Sequence, residues 1–475
     1  MNTPDFSRLT RRQAIAGAAG AAALAYGVPG LAHDTLRKPN FLFIMADDLG
    51  YGDLSCYGQR DYRTPVLDSL AAQGMRFTHG YANSAVCSAT RIGLITGRYQ
   101  YRLRAGLEEP IGRPDLGLDP AHPTLPSLLR RQGYHSALVG KWHLGGLPDF
   151  GPLQSGYDEF WGNRGGGVDY FTHKVGGQVD LWDGDVRADE QGYYTDLLAN
   201  RSIEYLEARA LEDKPWLLSL HFTASHWPWE GNNDAGRAES ARIDANNTGE
   251  ALAIAHYDGG SAQAYADMVT SMDQNIGRIL VRLAELGMEQ DTVVVFTSDN
   301  GGERYSLNWP FSGIKTELLE GGIRVPLIVK WPGLVAPGSE TEVPALSMDF
   351  LPTFLAAAGG APDLAFPTDG TDLRPALMGA GLPPRDLAWR FHSKEQRAFR
   401  RGPYKYLKIG PTEYLFDIIA DPRERGNLAE RMPEKFAELQ AAWLAWNAQM
   451  LPDPGDVSSF GWTPAQLADH YTGEE

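Results

Sequence analysis

The sequence predicts an α/β fold, a mostly parallel central sheet with helices on both faces. Three observations predict it. Four short, continuously apolar runs are spread along the chain, as expected of strands buried on both faces. Helical periodicity lies between them, and strands alternating with helices argue for α/β. Each run stops abruptly at a polar cluster, and in open sheets of this kind ligands gather at the carboxyl ends of the strands. The chain has 475 residues, 43% of them hydrophobic, enough for one large domain and a smaller one.

The first 32 residues stand apart from the fold. Thr10-Arg11-Arg12-Gln13-Ala14-Ile15 looks like a twin-arginine export signal, and a weakly apolar Ala/Gly run follows to Tyr26. Small residues at Gly30 and Ala32 suit cleavage before His33. The run is too short and too Ala-rich for a bilayer span, so the mature chain is expected to have none. An ordinary basic tail is the plainer alternative. The expected division is a signal peptide over 1–32, a catalytic domain over 33–384 and a C-terminal subdomain over 385–475.

The first strand, Phe41 to Met45, ends in Asp47-Asp48. A helix follows from Pro65 to Gln73. In the run Val86 to Arg98, Cys87 precedes a helical stretch, where a nucleophile would meet the positive field of a helix N-terminus. A buried structural cysteine is the plainer reading of that thiol. A helix over Leu125–Gln132 leads to the second strand, Ser136 to Val139, which ends in Gly140-Lys141-Trp142-His143. The segment Trp161 to Trp182 carries Asp169, Tyr170, His173 and Trp182 among many glycines, as expected of a specificity loop. The third strand, Trp216 to Leu220, runs through His221 to His226, flanked by Trp227 and Trp229. A long helix spans Ala262–Leu286. The fourth strand, Thr292 to Thr297, ends in Asp299-Asn300-Gly301, followed by Glu303 and Arg304. Pro383-Pro384 marks the boundary of the subdomain, where Tyr404–Ile409 alternates like a half-exposed strand and Pro433–Met450 reads as a closing amphipathic helix.

Two chemical sets sit at these strand ends. Asp47, Asp48, Asp299 and Asn300 are hard oxygen ligands, and adjacent carboxylates repel unless a cation neutralises them. An all-oxygen set suits Ca²⁺ or Mg²⁺ better than Zn²⁺. Each acidic motif read alone also fits a simple turn. The second set is cationic: Arg91, Lys141, His143, His226 and Lys315. Beside a divalent ion they make a site for a compact oxyanion. His221 is expected to be a structural hydrogen-bonder and Trp142 a core residue. Trp227, Trp229, His173, Glu303 and Arg304 are candidates for a substrate rim, with burial in the core as the alternative for the aromatic ones.

The order of these elements resembles the type I sulfatases. The Cys87-Ser88-Ala89-Thr90-Arg91 run followed by Leu94-Ile95-Thr96-Gly97-Arg98 is similar to that family's signature. So are Asp47-Asp48 before Gly50-Tyr51-Gly52-Asp53, Gly140 to Gly145, His226-Trp227-Pro228, Gly313-Ile314-Lys315 and Glu320-Gly321-Gly322-Ile323-Arg324. The tail elements Pro403 to Tyr406, Leu415-Phe416-Asp417 and Asp421-Pro422 also match. Ala89 departs from the Pro of the best-known form, and Thr90 from Ser, so conversion of the cysteine depends on the host's machinery.

The resemblance implies an alkaline-phosphatase-like large domain with a mixed, mostly parallel sheet, and a small subdomain with an antiparallel sheet and a helix. It implies that a maturation enzyme oxidises Cys87 to formylglycine, which hydrates and attacks sulfur. Asp47, Asp48, residue 87, Asp299 and Asn300 would ring one Ca²⁺, with Mg²⁺ possible. Arg91 and the ion would favour the ionised nucleophile, and Lys141, His226 and Lys315 would neutralise the sulfate oxygens. His226 or Lys315 would protonate the departing alcohol. His143 would take a proton from the second hydroxyl and release sulfate. The implied function is sulfate ester hydrolysis, with an exo-acting carbohydrate sulfatase favoured. A phosphonate or phosphate ester hydrolase of the same superfamily and an inactive sugar-binding relative are the alternatives.

Composition narrows the partners. The formal net charge of -17 argues against nucleic acid, since phosphate contacts need clustered Lys and Arg. Only Cys56 and Cys87 are present, so conversion of Cys87 would leave no disulfide. Twin-arginine export of a folded, already modified chain accounts for that, and implies a periplasmic or secreted bacterial enzyme.

Overall fold

The four expected strands form the centre of a ten-stranded sheet. In the computed structural model they are Asn40–Ala46, His135–Gly140, Trp216–His221 and Thr292–Ser298. The structure describes residues 38–107, 109–110, 113–246 and 259–455, so the expected signal segment lies outside the described residues. From one edge the strands run Ser339–Thr341, Met75–Phe77, Leu327–Lys330, Thr292–Ser298, Asn40–Ala46, Trp216–His221, His135–Gly140, Glu159–Gly162, Trp182–Asp183 and Val186–Arg187. The middle five are parallel; antiparallel pairings at Leu327–Lys330 and at Trp182–Asp183 extend the sheet on either side.

Register decides where the polar ends lie. Met45 pairs with His221 on one side and with Thr297 on the other, and His221 pairs with Gly140. Four strands therefore finish level, and the residues that follow each one emerge at one edge. Asn40–Ala46 is buried throughout, with Leu42, Ile44 and Ala46 in the core on one face and Phe41, Phe43 and Met45 in the core on the other. That is the period-two division of a strand covered on both sides.

Each face has its own cover. The helix Ala262–Glu285 presents Tyr265, Met268, Val269, Met272, Ile276, Ile279 and Leu283 to the first core, a stripe at helical spacing. Ser261 caps it, its Oγ accepting from Ala264 N–H at 3.0 Å. Asp273 on that helix accepts from the N–H groups of Val66 and Leu67 at 3.1 and 2.9 Å, serving the open first turn of the helix Pro65–Gln73. On the second face lie Leu125, Leu128 and Leu129 of the helix Leu125–Arg130 and Phe350, Leu351 and Phe354 of the helix Phe350–Ala357.

The C-terminal elements form a four-stranded antiparallel sheet: Asp386–Phe391, Gln396–Arg401, Tyr404–Ile409 and Thr412–Asp417 in sequential order. Leu439 and Trp443 of the helix Pro433–Asn447 cover one face, against Ala388, Phe399, Tyr406 and Leu415. The other face, with Leu387, Trp389, Ala398 and Leu407, packs on Tyr81, Val86 and Ala89. This sheet is thus the wall beside Cys87. The described residues from Pro39 onward form one compact unit.

A buried ion network ties the small sheet to the short helix Glu320–Ile323. Lys405 Nζ lies 2.9 Å from both Glu320 and Glu424, and Glu424 also accepts from Glu320 N–H at 2.6 Å. Burial opposes the charge of Glu320, but Lys405, Arg324 and Arg400 outweigh it and hold the carboxyl at about 2. Burial pushes Glu424 up to about 7 despite Lys405. The contribution of Glu320 is therefore complete above its unfolded value near 4.5 and is lost as pH falls toward 2. That of Glu424 has the opposite sign: it is complete below 4.5 and is lost as pH rises through about 7. Lys405→Met leaves two buried carboxylates facing each other, and is expected to destabilise by about 3–5 kcal/mol at pH 8. The loss shrinks at pH 5, where Glu424 is protonated. Thermal midpoints at the two pH values check this, and an equal loss at both would remove Glu424 from the network.

Candidate active site

Cys87 is the first residue of the helix Cys87–Thr96, every residue of which is buried. Arg91 follows one turn later on the same face. Its Nη2 and Nε donate to Asp299 Oδ2 at 2.8 and 3.2 Å, and its Nη1 to the Lys141 carbonyl at 3.1 Å. The helix is thereby pinned to the ends of two strands. Lys141 emerges directly after His135–Gly140, and its Nζ donates to Asp47 Oδ2 at 2.6 Å. Lys315 arrives from a loop and donates to Asp48 Oδ2 at 2.7 Å. Asn300 Nδ2 donates to Asp48 Oδ1 at 2.7 Å, and Asp48 N–H to Asp299 Oδ1 at 3.2 Å.

The structure thus gathers Asp47, Asp48, Cys87, Arg91, Lys141, His143, His226, Asp299, Asn300 and Lys315 at the carboxyl edge of the sheet. Ligand-type atoms of Asp47, Asp48, Cys87 and His226 all lie within 4.8 Å of one another. Three carboxylates face three fixed cations. Burial raises Asp47 well above the usual carboxylate range, and Asp299 adds to that rise. Burial acts likewise on Asp299, but Arg91 and Lys141 outweigh it and hold that carboxyl at about 2. Burial would neutralise Lys141 and Lys315, yet Asp47 and Asp48 respectively keep both above the ordinary lysine value. Two oxygens of the set, Asp47 Oδ1 and Asn300 Oδ1, are buried with no hydrogen-bond partner.

Both histidines are held neutral. Burial lowers His143 well below its usual range and Lys141 lowers it further; burial and Lys315 do the same to His226. His226 Nδ1 lies 2.7 Å from the Trp227 carbonyl, so that nitrogen carries the proton and Nε2 turns inward, 3.7 Å from Asp48 Oδ2. His143 Nδ1 has no hydrogen-bond partner. The loop Gly165-Gly166-Gly167 lies directly on these rings. A Cβ on Gly166 would come within 2.8 Å of the His143 ring and force a shift there, and one on Gly167 would press on the His226 ring at 3.1 Å. His221 sits behind Arg91, its Nδ1 3.2 Å from Nη1; burial lowers it to about 3, as a structural hydrogen-bonder requires. Trp142 is buried and donates to the Phe150 carbonyl at 2.8 Å.

The rim is smaller than the sequence suggests. Trp227 is at the site, its ring 4.0 Å from that of His226 and 5.9 Å from Lys315 Nζ. Trp229 is instead 2% exposed, packed against the edge of Tyr305 and under Arg304. His173 is buried too, its Nε2 3.1 Å from the Gly192 carbonyl and its ring tilted against Tyr194. Neither ring offers a face for a sugar; both are buried in the protein. Glu303 is buried and its charge reaches Lys315. Sequence reasoning missed Glu109, whose carboxylate lies within 4.8 Å of both Cys87 Sγ and a His143 nitrogen. No spacing signal marks it, because it reaches the site from an irregular loop.

Comparison with known proteins decides the family. The Sulfatase family model matches residues 39–361. The chain belongs to the sulfatase family. It is 34% identical over 418 residues to arylsulfatase A of Homo sapiens, covering 81% of this chain and 78% of that one. Identity to N-acetylgalactosamine-6-sulfatase of Canis lupus familiaris is 30% over 401 residues, covering 78% and 71%. The solved structure of Ps i-CgsB in complex with k-i-k-neocarrahexaose superposes with a TM-score of 0.79 at 26% identity, over 89% of this chain and 95% of that one. This sulfatase is accordingly a sulfuric ester hydrolase of the alkaline-phosphatase-like superfamily, with the mixed central sheet and small antiparallel C-terminal sheet expected of it. Among its described residues no helix is long and apolar enough to cross a membrane.

Proposed function

We propose that this sulfatase removes sulfate from the ends of sulfated carbohydrates, using a formylglycine made from Cys87 and a bound divalent cation. The observation that carries the reading is the position of residue 87. It opens a buried helix, among the ligand-type atoms of Asp47, Asp48 and His226. A compact anion placed there meets Lys141, Lys315 and the helix N-terminus together.

The donor set fits a hard cation. Asp47, Asp48, Asp299 and Asn300 offer it only oxygens, and two of these are the unpartnered atoms Asp47 Oδ1 and Asn300 Oδ1. Ca²⁺ or Mg²⁺ takes such ligands, whereas Zn²⁺ favours nitrogen and sulfur. These four residues and residue 87 would hold the ion, which supplies charge neutralisation and polarises a sulfate oxygen. A formylglycine-generating enzyme would supply the aldehyde, whose hydrate offers an oxygen nucleophile in place of the thiol.

The remaining steps fall to this chain's side chains. Lys141 and Lys315 hold the sulfate oxygens. Arg91, locked on Asp299, fixes the helix that presents residue 87. Lys315 Nζ, held protonated 2.7 Å from Asp48 Oδ2, supplies the proton of the departing alcohol, while the unprotonated Nε2 of neutral His226, 3.7 Å from the same oxygen, accepts a hydrogen bond. Neutral His143 accepts a proton from residue 87. Glu109 stands beside Cys87 and His143, and burial raises its carboxyl above the ordinary value, so it can hydrogen-bond a hydroxyl of the substrate.

Three observations favour a carbohydrate end. The Ps i-CgsB neighbour was solved with a neocarrahexaose bound. The ring of Trp227 stands beside His226 and Lys315, where it can stack on a sugar. The reaction centre is deep, with Cys87 and Lys141 only 1% and 0% exposed, and the acidic exterior disfavours a grip on a long polyanion. Twin-arginine export to the periplasm or beyond would place the enzyme where such oligosaccharides arrive.

The test is a panel of oligosaccharides sulfated at defined positions, alongside small aryl sulfates and a phosphate diester. Each is assayed with enzyme as purified, after chelation, and after return of Ca²⁺ or Mg²⁺. Terminally sulfated sugars are expected to show the highest kcat/KM, with activity lost on chelation and restored by the ion. Aryl sulfates turned over with no sugar accepted would remove the carbohydrate. Faster cleavage of the phosphate diester would overturn the choice of substrate class, and turnover that survives chelation would remove the ion.

A further inference from the structure

Lys315 reaches the site from a tight turn, and a single side chain of the C-terminal sheet holds that turn from behind. Glu317 N–H donates to the Ile314 carbonyl at 3.0 Å and closes the turn, with Lys315 and Thr316 at its corners. Thr316 lies at φ +72°, a region that strains a β-branched residue and that turns normally give to glycine or asparagine. Such a conformation persists only where the surroundings over-determine it.

Here they do. Lys315 N–H donates to the Gly302 carbonyl at 3.1 Å, and Thr316 N–H to the Ala85 carbonyl at 2.9 Å, two residues before Cys87. The Thr316 carbonyl and the Leu318 N–H, on either side of Glu317, both meet Gln396. Its Nε2 donates to the Thr316 carbonyl at 2.8 Å and to the Ser393 carbonyl at 3.1 Å, and its Oε1 accepts from Leu318 N–H at 2.9 Å. Both amide protons and the carbonyl oxygen are used, so the partners fix the orientation of the carboxamide. Gln396 is 1% exposed and Leu318 fully buried, which leaves no solvent to replace these bonds.

We propose that Gln396 is a positioning residue for Lys315. It clamps the strained turn on both sides of Glu317 and so sets the Lys315 ammonium over Asp48, at a defined distance from residue 87. The C-terminal sheet thereby takes part in the reaction without touching the substrate. The proposal rests on the reading of Lys315 as a sulfate-binding cation.

The experiment uses the mature enzyme and the sulfated sugar it turns over fastest. Gln396→Ala, Gln396→Glu, Lys315→Ala and the double variant Thr316→Gly/Gln396→Ala are compared. Two readouts are taken: kcat and KM, and amide hydrogen exchange in peptides covering 312–320. Gln396→Ala is expected to speed exchange at Leu318 and to lower kcat/KM about 10- to 100-fold, as for a displaced catalytic group. Gln396→Glu keeps the acceptor for Leu318 but loses both donors, so its loss is smaller in exchange than in turnover. Glycine adopts the turn without strain, so the double variant recovers most of the lost kcat. A merely structural role predicts a loss that follows the thermal midpoint and is the same with or without Thr316→Gly.

Fast exchange in Gln396→Ala with kcat/KM within about twofold of wild type would overturn the proposal, as would failure of Thr316→Gly to restore turnover. Should Gln396→Ala not fold, Gln396→Glu and the double variant decide. Lys315→Ala separates the two readings. If it stays active, the role of Lys315 falls and the clamp with it; if it is inactive while the Gln396 variants are unaffected, only the clamp falls.

Discussion

Cys87→Ala is expected to abolish sulfate ester turnover, by at least about 10⁴-fold, as loss of a nucleophile does in other covalent hydrolases. The fold should survive. Residue 87 opens the helix Cys87–Thr96, where alanine is the best helix former, and the helix remains anchored by Arg91 on Asp299. The environment also argues that the thiol itself is not the nucleophile. Burial pushes Cys87 well above the usual thiol range, more strongly than Lys141 and Lys315 pull it down, and a protonated thiol is a poor nucleophile. A hydrated aldehyde needs no such ionisation to present an oxygen. The checks are initial rates with the preferred sulfated sugar, the thermal midpoint, and the mass of the peptide containing residue 87. In active enzyme that peptide should be lighter than its cysteine form by the difference between H₂S and O. Turnover near wild type in Cys87→Ala would remove the nucleophile assignment; an unconverted cysteine in fully active enzyme would remove formylglycine and leave the position standing.

Lys141→Ala is expected to lower kcat about 10²- to 10³-fold, the range for removing one preorganised charge from a site of developing negative charge. Lys141 is fully buried, and its Nζ lies 2.6 Å from Asp47 Oδ2. Without it Asp47 and Asp299 face each other with Arg91 as the nearer remaining counter-charge, so affinity for the divalent ion also changes. Lys141→Arg should not rescue. The guanidinium is larger and planar, and the Lys141 side chain is fully buried with its ammonium against Asp47. Separate measurement of kcat and KM decides the role: a rise in KM alone would mean uniform binding of substrate and transition state rather than catalysis.

Much of this was legible in the chain. The four central strands appear in the structure within one residue of the apolar runs that mark them, and the helix Pro65–Gln73 and the strand Tyr404–Ile409 match their expected bounds. Apolar continuity and helical periodicity are properties of neighbours in sequence, so they survive without knowledge of the fold. Asp47, Asp48, Lys141, His143, Asp299 and Asn300 were also legible, since each follows an apolar run that stops abruptly, whereas Arg91 and Lys315 were legible only through the motifs that contain them. Less visible were the antiparallel strands Met75–Phe77 and Leu327–Lys330, which are short and lack a polar stop of their own.

By itself the sequence determined the four central strands and the main helices, which ionisable groups end those strands, and, through the order of its motifs, the family. Only the tertiary structure decided how these groups meet. The register of Met45 with His221 and Thr297 brings four strand ends level, and register depends on partners that are distant in sequence. Asp48 and His143 stand at φ +58° and +57°, a left-handed region that Asp and His enter more readily than most side chains but that packing selects at these two positions. Glu109 enters the site, while Trp229 and His173 leave the rim for the core, because burial depends on which loops lie overhead. The C-terminal sheet becomes the wall of Cys87 and the support of Lys315 for the same reason: long-range packing chooses the surface it covers.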